Sequence, residues 1–323
     1  MRKSIGPLFL VGALWCSPSA FGAGAGWTKY DGSPVIGGQY GTCFDVAVLK
    51  EPPGYRMWVS WRPQKSIALV ESTNGTHWTG PPRIVLGPRL QSGWEDEVNR
   101  PIVLKRDGTY HMWYTGQAHE HSYIGYATSP DGQSWTRAHD QPVLRPEEPW
   151  EKVAIMCPHV IWDPQQHLYR MWYSAGDQYE PDAIGYATSP DGVTWKRLAA
   201  NPIFRPEPSL EWEQHKVTAV QVQKQGDWYV MFYIGFRDVD HAQIGLARSR
   251  DGVTGWQRHP GNPIVSPTPG GWDADACYKP VALYDGSKWL LWYNGRRGSL
   301  EQIGVAFHQG EDLGFESSAR GQR

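Results

Sequence analysis

The amino-acid sequence predicts an all-β protein, built as a five-bladed β-propeller with four strands in each blade. Three observations support this prediction: a long internal repeat, turn signals at fixed places in each copy, and apolar segments of strand length between the turns. With 40% hydrophobic residues, 36 Gly and 26 Pro in 323 residues, the composition suits a large core made of short strands and tight turns.

The repeat is visible in one string that occurs five times. The copies begin at residues 67, 124, 184, 244 and 303, so successive copies start 57, 60, 60 and 59 residues apart. They read IALVESTNGTHW, IGYATSPDGQSW, IGYATSPDGVTW, IGLARSRDGVTGW and IGVAFHQGEDLGF. A constant period of this length is typical of a propeller in which each repeat forms one blade.

Strand and turn signals recur inside each copy. The second strand of each blade, such as YHMWYTG at 110–116, is apolar and aromatic on both faces, as expected for a strand with neighbouring sheets on both sides. Asp-Gly pairs at 131–132, 191–192 and 251–252 and Asn-Gly at 74–75 are strong hairpin signals. We expect these turns to join the third strand of a blade to the fourth.

The fifth copy has no fourth strand of its own. Nothing after Asp312 resembles the segments SWTRAHDQPVL, TWKRLAANPIF and GWQRHPGNPIV that end the preceding copies. The segment GWTKYDGSPVI at 26–36 does resemble them and has no repeat to complete. We therefore expect the N-terminal strand to complete blade five and close the ring.

The first 25 residues resemble a secretory signal peptide. A basic MRK start precedes an apolar stretch and then small residues, with plausible cleavage after Gly22 or Ala25. A lipoprotein anchor at Cys16 is the less favoured alternative, because the bulky Trp15 precedes it. We therefore predict a signal peptide at 1–25, a single propeller domain at 26–315, a tail at 316–323 and a periplasmic or secreted protein. No later stretch has the roughly 20 apolar residues of a membrane span.

Charge and cysteine content exclude several classes of function. The formal net charge is −2 and no long basic run occurs, which argues against nucleic acid as a partner. No CxxC motif occurs, and we expect neither a metal nor a cofactor. The odd set Cys43, Cys157 and Cys277 leaves two alternatives open: a disulfide between the first and last, or buried free thiols, which we favour because neighbouring inner strands can be too far apart for a bridge. We expect a monomer.

Repetition separates scaffold residues from candidate functional residues. Most of the 18 Trp recur at equivalent positions, as do the acids of the Trp-acid pairs, so we assign them to the scaffold. Those acids are Glu95, Glu151, Glu213 and Asp273.

Residues that differ between copies at one mouth of the channel are the candidates for function. Alignment of the inner strands places five different residues at one ring position: Asp45, Arg100, Cys157, Thr218 and Lys279. Further candidates that break the repeat nearby are Trp61, Glu97, His159, Arg237, Asp238, Asp275 and Arg296. Trp61 stands where other copies have small residues, so we expect it to stack on a sugar.

These strings resemble the five-bladed propeller glycoside hydrolases, the superfamily that contains glycoside hydrolase families 43 and 32 and the mannoside phosphorylases of family 130. The resemblance covers residues 26–315. Asp45 matches the first catalytic Asp of that pattern, with Val46 in place of Pro. The second Asp corresponds to Arg100 before Pro101 or to Cys157 before Pro158, and Met156-Cys157-Pro158 is similar to a Glu-Cys-Pro motif without its Glu.

The resemblance implies a carbohydrate substrate and cleavage of a glycosidic bond. Such cleavage needs a base and a proton donor on either side of the bond. We expect Asp45 to be the base and Glu97 or Asp275 the acid, with inversion, and His159 or Asp238 as further options for the acid. Substrate-binding candidates are Trp61, Arg100, His159, Arg237, Asp238, Lys279 and Arg296. The basic residues make an anionic sugar one option, because cations of this kind pair with carboxylate or phosphate. Two alternatives stay open: a glycan-binding propeller without catalysis, and a phosphate-dependent phosphorylase.

Overall fold

The computed structural model describes residues 24–178 and 181–315, and the prediction of an all-β protein is confirmed within them. Besides strands, these residues form short 3-10 segments at Gly38–Tyr40, Arg62–Gln64, Leu90–Ser92 and Pro149–Glu151. The expected tail at 316–323 and all but the last two residues of the expected signal peptide lie outside the described residues.

The strands fall into groups of consecutive segments, one for each copy of the repeat. The first group contains β2 (Cys43–Glu51), β3 (Gly54–Trp61), β4 (Ser66–Ser72) and β5 (Arg83–Leu86). The second contains β6 (Glu97–Arg106), β7 (Thr109–Ala118), β8 (His121–Ser129) and β9 (Thr136–Arg137), and the third β10 (Ala154–Asp163), β11 (Leu168–Gly176), β12 (Pro181–Ser189) and β13 (Lys196–Arg197). The fourth contains β14 (Lys216–Gln225), β15 (Trp228–Phe236), β16 (Ala242–Ser249) and β17 (Gln257–Arg258). The fifth contains β18 (Ala276–Tyr284), β19 (Lys288–Arg297) and β20 (Leu300–Gln309), and β1 (Trp27–Lys29) precedes the first group.

Each group is an antiparallel sheet in chain order. The second and third groups are joined into one eight-stranded sheet by a single parallel pairing of Ala154 with Ser122. The Asp-Gly turns lie between the third and fourth strands, as predicted. In the second group the carboxylate of Asp131 accepts hydrogen bonds from the backbone N–H groups of Gln133 and Ser134, which fixes the turn.

The two ends of the described chain meet in the fifth group. β1 pairs antiparallel with β20, with Trp27 opposite His308, and the sheet order is β1-β20-β19-β18. Further along the N-terminal segment, Ile36 bridges to Ile303. The predicted pairing of the N-terminal strand with the last repeat is therefore confirmed.

Fully buried Trp residues of the second strands link four of the five groups to the next one; the fourth group has Phe232 at this position. Trp58, Trp113 and Trp172 donate through Nε1 to the carbonyl oxygens of Gly132, Gly192 and Gly252 in the turns of the following group. Trp292 in the fifth group donates in the same way to Gly75 in the first group, at 2.8 Å. The same contact that joins consecutive groups therefore joins the fifth group to the first.

The acids of the Trp-acid pairs hold the outer strands in place. Each has a fully buried side chain and an ion pair to a basic residue of the outer strand, the pairs being Glu95–Arg137, Glu151–Arg197, Glu213–Arg258 and Asp273–Lys29. A tyrosine of the second strand donates to each acid as well, as Tyr293 does to Asp273 at 3.0 Å. Their assignment to the scaffold is confirmed, and Lys29 identifies β1 as the outer strand of the fifth group.

The three cysteines in the described residues are free and buried, as favoured from the sequence. Burial raises the pKa of Cys43 to about 12, so this thiol stays protonated. Among residues 24–178 and 181–315, no helix is long and apolar enough to cross a membrane.

Candidate active site

The inner strands share an irregularity that positions the candidate residues. Each of β2, β6, β10, β14 and β18 has a bulge at which the register to the second strand shifts by one residue. The bulged residues have φ between 40° and 53°, and they are Asp45, Arg100, Cys157, Ala219 and Lys279. Positive φ is unfavourable for residues other than Gly, and such strain is concentrated at functional sites.

The structure corrects one member of the predicted ring position. Ala219, and not Thr218, is the bulged residue of β14, and Thr218 lies one residue earlier, opposite Ile234 of β15. The sequence alignment was wrong by one residue here. Every inner strand has the same bulge, and Ala219 stands ten residues before Tyr229, just as Arg100 stands ten residues before Tyr110.

Side chains of the neighbouring group support the bulges. The backbone N–H of Arg100 donates to Ser60 Oγ at 2.8 Å, and that of Ala219 to Ser174 Oγ at 2.7 Å. Asp45 N–H donates to Asn294 Oδ1 at 2.9 Å across the contact between the fifth and first groups. These bonds satisfy backbone donors that the strand ladder leaves free.

All five bulged residues line one pocket of about 630 Å³. Besides them, the lining includes residues from the ends of the second and third strands, among them Gln117, Phe236, Arg296 and Glu301. The bulges therefore bring residues that are distant in the sequence to one concave site of the size that binds small molecules.

Asp45 lies in this pocket with its carboxylate fixed by two partners. Its Oδ2 is 3.1 Å from Nε of Arg100, and its Oδ1 accepts a hydrogen bond from the side-chain amide of Asn294. Only 4% of Asp45 is exposed. Arg100 is itself held by the side-chain oxygens of Asn99 and Gln117, at 2.7 and 3.1 Å. An oriented carboxylate of this kind can accept a proton from a water molecule or a sugar hydroxyl.

A second buried carboxylate, Glu301, was missed by the sequence analysis. It lies near the start of β20, lines the pocket and receives two hydrogen bonds from Arg62, at 3.2 and 2.6 Å, and one from the phenol of Tyr278. Burial first, and then the charge of Glu301, raise the pKa of Tyr278 well above its usual value, so the phenol stays a donor. The signal was present: this position, two residues before the repeated Ile, differs between the copies.

Glu97 lines the same pocket under looser constraint. It stands at the start of β6, about one third of its side chain is exposed, and its Oε1 is 3.4 Å from Nζ of Lys65. The structure thus brings two of the predicted catalytic residues, Asp45 and Glu97, to one pocket. Of the predicted substrate-binding residues, it brings Arg100, Lys279 and Arg296 there.

Asp275 does not line this pocket. Its Oδ2 accepts a hydrogen bond from the backbone of Gly298 at 2.7 Å, so the carboxylate stabilises the turn between β19 and β20.

Trp61 also lies outside the pocket lining, with its Nε1 donating to the carbonyl of Tyr40 at 2.8 Å. In the second group, a Cβ on Gly116 would come within 2.5 Å of the Trp94 ring. Trp61 occupies the position equivalent to Gly116 in the first group, which has no Trp-acid pair. Its indole therefore fills space that an earlier Trp fills in the other groups.

His159, Arg237 and Asp238 are likewise placed away from the pocket lining. His159 is buried beyond the bulge of β10 and its Nε2 lies 2.7 Å from the carbonyl of Val222. Burial lowers the pKa of His159 to about 4, so the ring is a neutral donor. Arg237 and Asp238 pair with each other at 3.1 Å in the turn between β15 and β16, and His241 bonds to Asp238.

No group of three His, Cys, Asp or Glu side chains in residues 24–178 and 181–315 has the arrangement of a metal site. The functional groups that line the pocket include carboxylates, basic side chains and the phenol of Tyr278.

Comparison with known proteins adds the family. The family model described as the glycosyl hydrolases family 32 N-terminal domain matches residues 70–244, more than half of the chain. A 1,2-beta-oligomannan phosphorylase of Thermoanaerobacter sp. (strain X514) is 28% identical over 224 residues, which cover 65% of this chain and 68% of that protein.

Solved structures with the same fold are also found. A thermostable family-43 glycoside hydrolase superposes with a TM-score of 0.70 at 19% identity and covers 87% of this chain and 93% of its own. The beta-1,2-mannobiose phosphorylase of Listeria innocua superposes with a TM-score of 0.69 at 13% identity and covers 88% and 96%. At these identities the likeness establishes the fold alone.

Proposed function

The chain belongs to the family of the glycosyl hydrolases family 32 N-terminal domain, and we propose that it cleaves a glycosidic bond in an oligosaccharide or polysaccharide. The observation that carries this proposal is Asp45, a carboxylate held by Arg100 and Asn294 at a strained bulge in a pocket of suitable size.

We propose an inverting mechanism with Asp45 as the base and Glu97 as the acid. Asp45 takes a proton from the attacking water, and Glu97 donates one to the leaving oxygen. Glu97 suits the acid better than Glu301 does. Its single ion pair is long and partly exposed, whereas the oxygens of Glu301 already accept hydrogen bonds from Arg62 and Tyr278 and are less available to a leaving group. The anomeric form of the first product, followed by NMR, tests inversion; a product that keeps the anomeric configuration of the substrate contradicts it.

We further propose that the strand groups are the blades of a five-bladed propeller. Supporting observations are the pairing of β1 with β20 and the bond from Trp292 to Gly75, which repeats between the fifth and first groups the contact found between consecutive groups. In the same way β2 contacts both β6 and β18. Deletion of residues 26–36 removes the outer strand of the fifth group and should abolish cooperative unfolding. A truncated chain that melts like the full protein would contradict the ring.

A phosphate-dependent phosphorylase is the second candidate function. It is favoured by the similarity to the 1,2-beta-oligomannan phosphorylase and by the basic side chains of Arg100, Lys279 and Arg296 in the pocket. The two functions differ in the attacking group, so cleavage with and without added phosphate separates them. Release of a sugar 1-phosphate only when phosphate is present would replace the hydrolase proposal.

Export is proposed from the sequence of the first 25 residues alone. Expression in a bacterial host and mass spectrometry of the purified protein test it. We expect a mature N-terminus after Gly22 or Ala25 and a product in the periplasm or medium. A product that retains Met1–Ala25 and stays with the cytoplasm contradicts it.

A further inference from the structure

Lys279 stands out among the pocket residues as a buried cation without a counter-ion. Only 4% of it is exposed, yet within residues 24–178 and 181–315 its ammonium has neither a hydrogen bond nor an ion pair. A buried charge is costly unless it is paired, so an uncompensated ammonium in a ligand pocket indicates that the ligand supplies the partner.

The titratable groups on which the charge of Lys279 acts do not neutralise that charge. Its charge acts on Cys157 and His159. Burial raises the pKa of the Cys157 thiol, and the charges of Lys279 and Arg100 offset this only in part. Burial lowers the pKa of His159 to about 4. Near neutral pH both neighbours are therefore uncharged.

The carboxylates of the pocket are engaged elsewhere or lie nearer the solvent. Their ion pairs are Asp45 with Arg100, Glu301 with Arg62, Glu97 with Lys65 and Asp240 with Arg296. Glu120 is exposed and Asp96 is only half-buried. None of these side chains lies within ion-pair distance of Lys279.

A second unpartnered polar group lines the same pocket. Oγ1 of Thr218 is fully buried and has no hydrogen-bond partner, although hydroxyl groups in protein interiors are nearly always bonded. Thr218 precedes the bulge of β14, Lys279 occupies the bulge of β18, and these two inner strands are in contact. One ammonium and one hydroxyl are thus left free on adjoining strands.

We propose that Lys279 and Thr218 form a subsite for the carboxylate of an acidic sugar. The proposal rests on the proposed function, since it specifies the substrate of the same pocket. A neutral sugar would cover Lys279 and leave its charge unpaired. A carboxylate would neutralise the charge of Lys279 and accept a hydrogen bond from the hydroxyl of Thr218. A single cation matches the single charge of a carboxylate better than the higher charge of free phosphate.

The test compares acidic oligosaccharides with their carboxyl-reduced forms, which keep the sugar and linkage and lose the charge. Binding of uronate oligosaccharides to the full mature chain is measured by titration calorimetry. We expect the acidic form of at least one oligosaccharide to bind about tenfold more tightly than its reduced form. Equal affinity for every pair, or no binding of any acidic form, overturns the proposal.

Single-residue variants show whether Lys279 and Thr218 cause the preference for the acidic form over the carboxyl-reduced form. Lys279→Met should remove it, and Thr218→Val, which changes the hydroxyl to a methyl group of similar size, should weaken binding of the acidic form alone. Lys224→Met makes the same charge change at an exposed site outside the pocket and should retain the preference. A preference that survives in folded Lys279→Met contradicts the subsite. If that variant does not fold, a preference in Thr218→Val as large as in the wild-type protein contradicts it.

Two further arms separate this inference from its alternatives. Inorganic phosphate should not displace the acidic oligosaccharide at equal concentration; tighter binding of phosphate that is lost in Lys279→Met would assign the subsite to phosphate and overturn the proposal. Binding is also measured on Asp45→Asn, which needs no turnover. If Asp45→Asn prefers the acidic form but the wild-type protein cleaves no oligosaccharide, the proposed function fails and the subsite stands.

Discussion

The side chains of Asp45 and Arg100 form an ion pair between the bulges of two inner strands, with Oδ2 of the first 3.1 Å from Nε of the second. Both residues are strained at positive φ and both are largely buried. The site therefore has an arginine that orients the carboxylate of Asp45.

This relationship predicts the effect of removing Arg100. In Arg100→Met the carboxylate of Asp45 loses its charged partner and its orientation. We expect kcat to fall about 100-fold and the free energy of unfolding to fall by about 3 kcal/mol. Steady-state kinetics and urea denaturation measure the two effects.

Arg100→Lys is the matched control, since it keeps the charge but loses the planar fork of donors. It should recover stability more fully than activity. An Arg100→Met variant with wild-type kinetics would exclude an orienting role.

Lys29 provides a test of the contact between the chain ends. Its ammonium is 2.5 Å from the fully buried carboxylate of Asp273. Burial alone would raise the pKa of Asp273, but the bonds from Lys29 hold it below its usual value. Lys29→Met should lower the free energy of unfolding by about 3 kcal/mol at pH 7.

The pH dependence gives the sign of this effect. Because the pKa of Asp273 is lower in the folded state, its stabilisation is present above the unfolded-state pKa of about 3.9 and is lost as the pH falls below it. The difference between wild type and Lys29→Met should shrink in acid. Lys50→Met, at an exposed lysine whose ammonium donates to the backbone carbonyl of Asp285, is the control and should change stability little at any pH. A Lys29→Met variant as stable as this control would count against the contact.

His159 predicts a second pH dependence. Its pKa is about 4 in the folded protein because of burial, and about 6.5 in the unfolded chain. The unfolded state binds more protons between these values, so the stability due to neutral His159 is complete above pH 6.5 and is lost towards pH 4, by up to about 3 kcal/mol.

His159→Gln keeps a donor for the carbonyl of Val222 and cannot be protonated in this range. Thermal or chemical unfolding from pH 7 to pH 4 should therefore show a smaller loss of stability in the variant. Identical pH profiles for the two proteins would mean that His159 does not stay neutral in the folded state.

The number of reactive thiols tests whether the cysteines are free. Cys43, Cys157 and Cys277 are free and buried. In a protein produced without residues 1–25, a thiol reagent should therefore react with three thiols in denaturant and very slowly under native conditions. Reducing agents should leave the melting temperature unchanged. A single reactive thiol in denaturant would indicate a disulfide.

Repetition in the sequence predicts the scaffold well and the site only in part. Trp58 and Glu95 recur in the copies, and equivalent residues make equivalent contacts in the structure, such as Trp58 with Gly132 and Glu95 with Arg137. The pairing of the N-terminal strand with the last repeat was predictable, because residues 26–36 resemble the fourth-strand segment that the fifth copy lacks.

The site depends on details that repetition does not encode. Positive φ at the bulges identifies Ala219, and not Thr218, as the equivalent of Asp45 and Arg100. Trp61 breaks the repeat where the first copy lacks a preceding Trp, and its side chain lies outside the pocket lining. Glu301 becomes recognisable as a pocket residue only when the start of β20 is placed beside Tyr278 and Arg62.

The most direct test of the central claim is the rate of glycosidic bond cleavage by wild type and Asp45→Asn. Both are incubated with acidic and neutral oligosaccharides, without phosphate, and products are separated by chromatography. We predict cleavage by the wild-type protein and a rate lower by about 10²- to 10⁴-fold in Asp45→Asn. The variant should still unfold cooperatively, at a lower melting temperature, because the buried Arg100 loses its charged partner. Equal rates for the two proteins, or no cleavage of any oligosaccharide by the wild type, would contradict the proposed function.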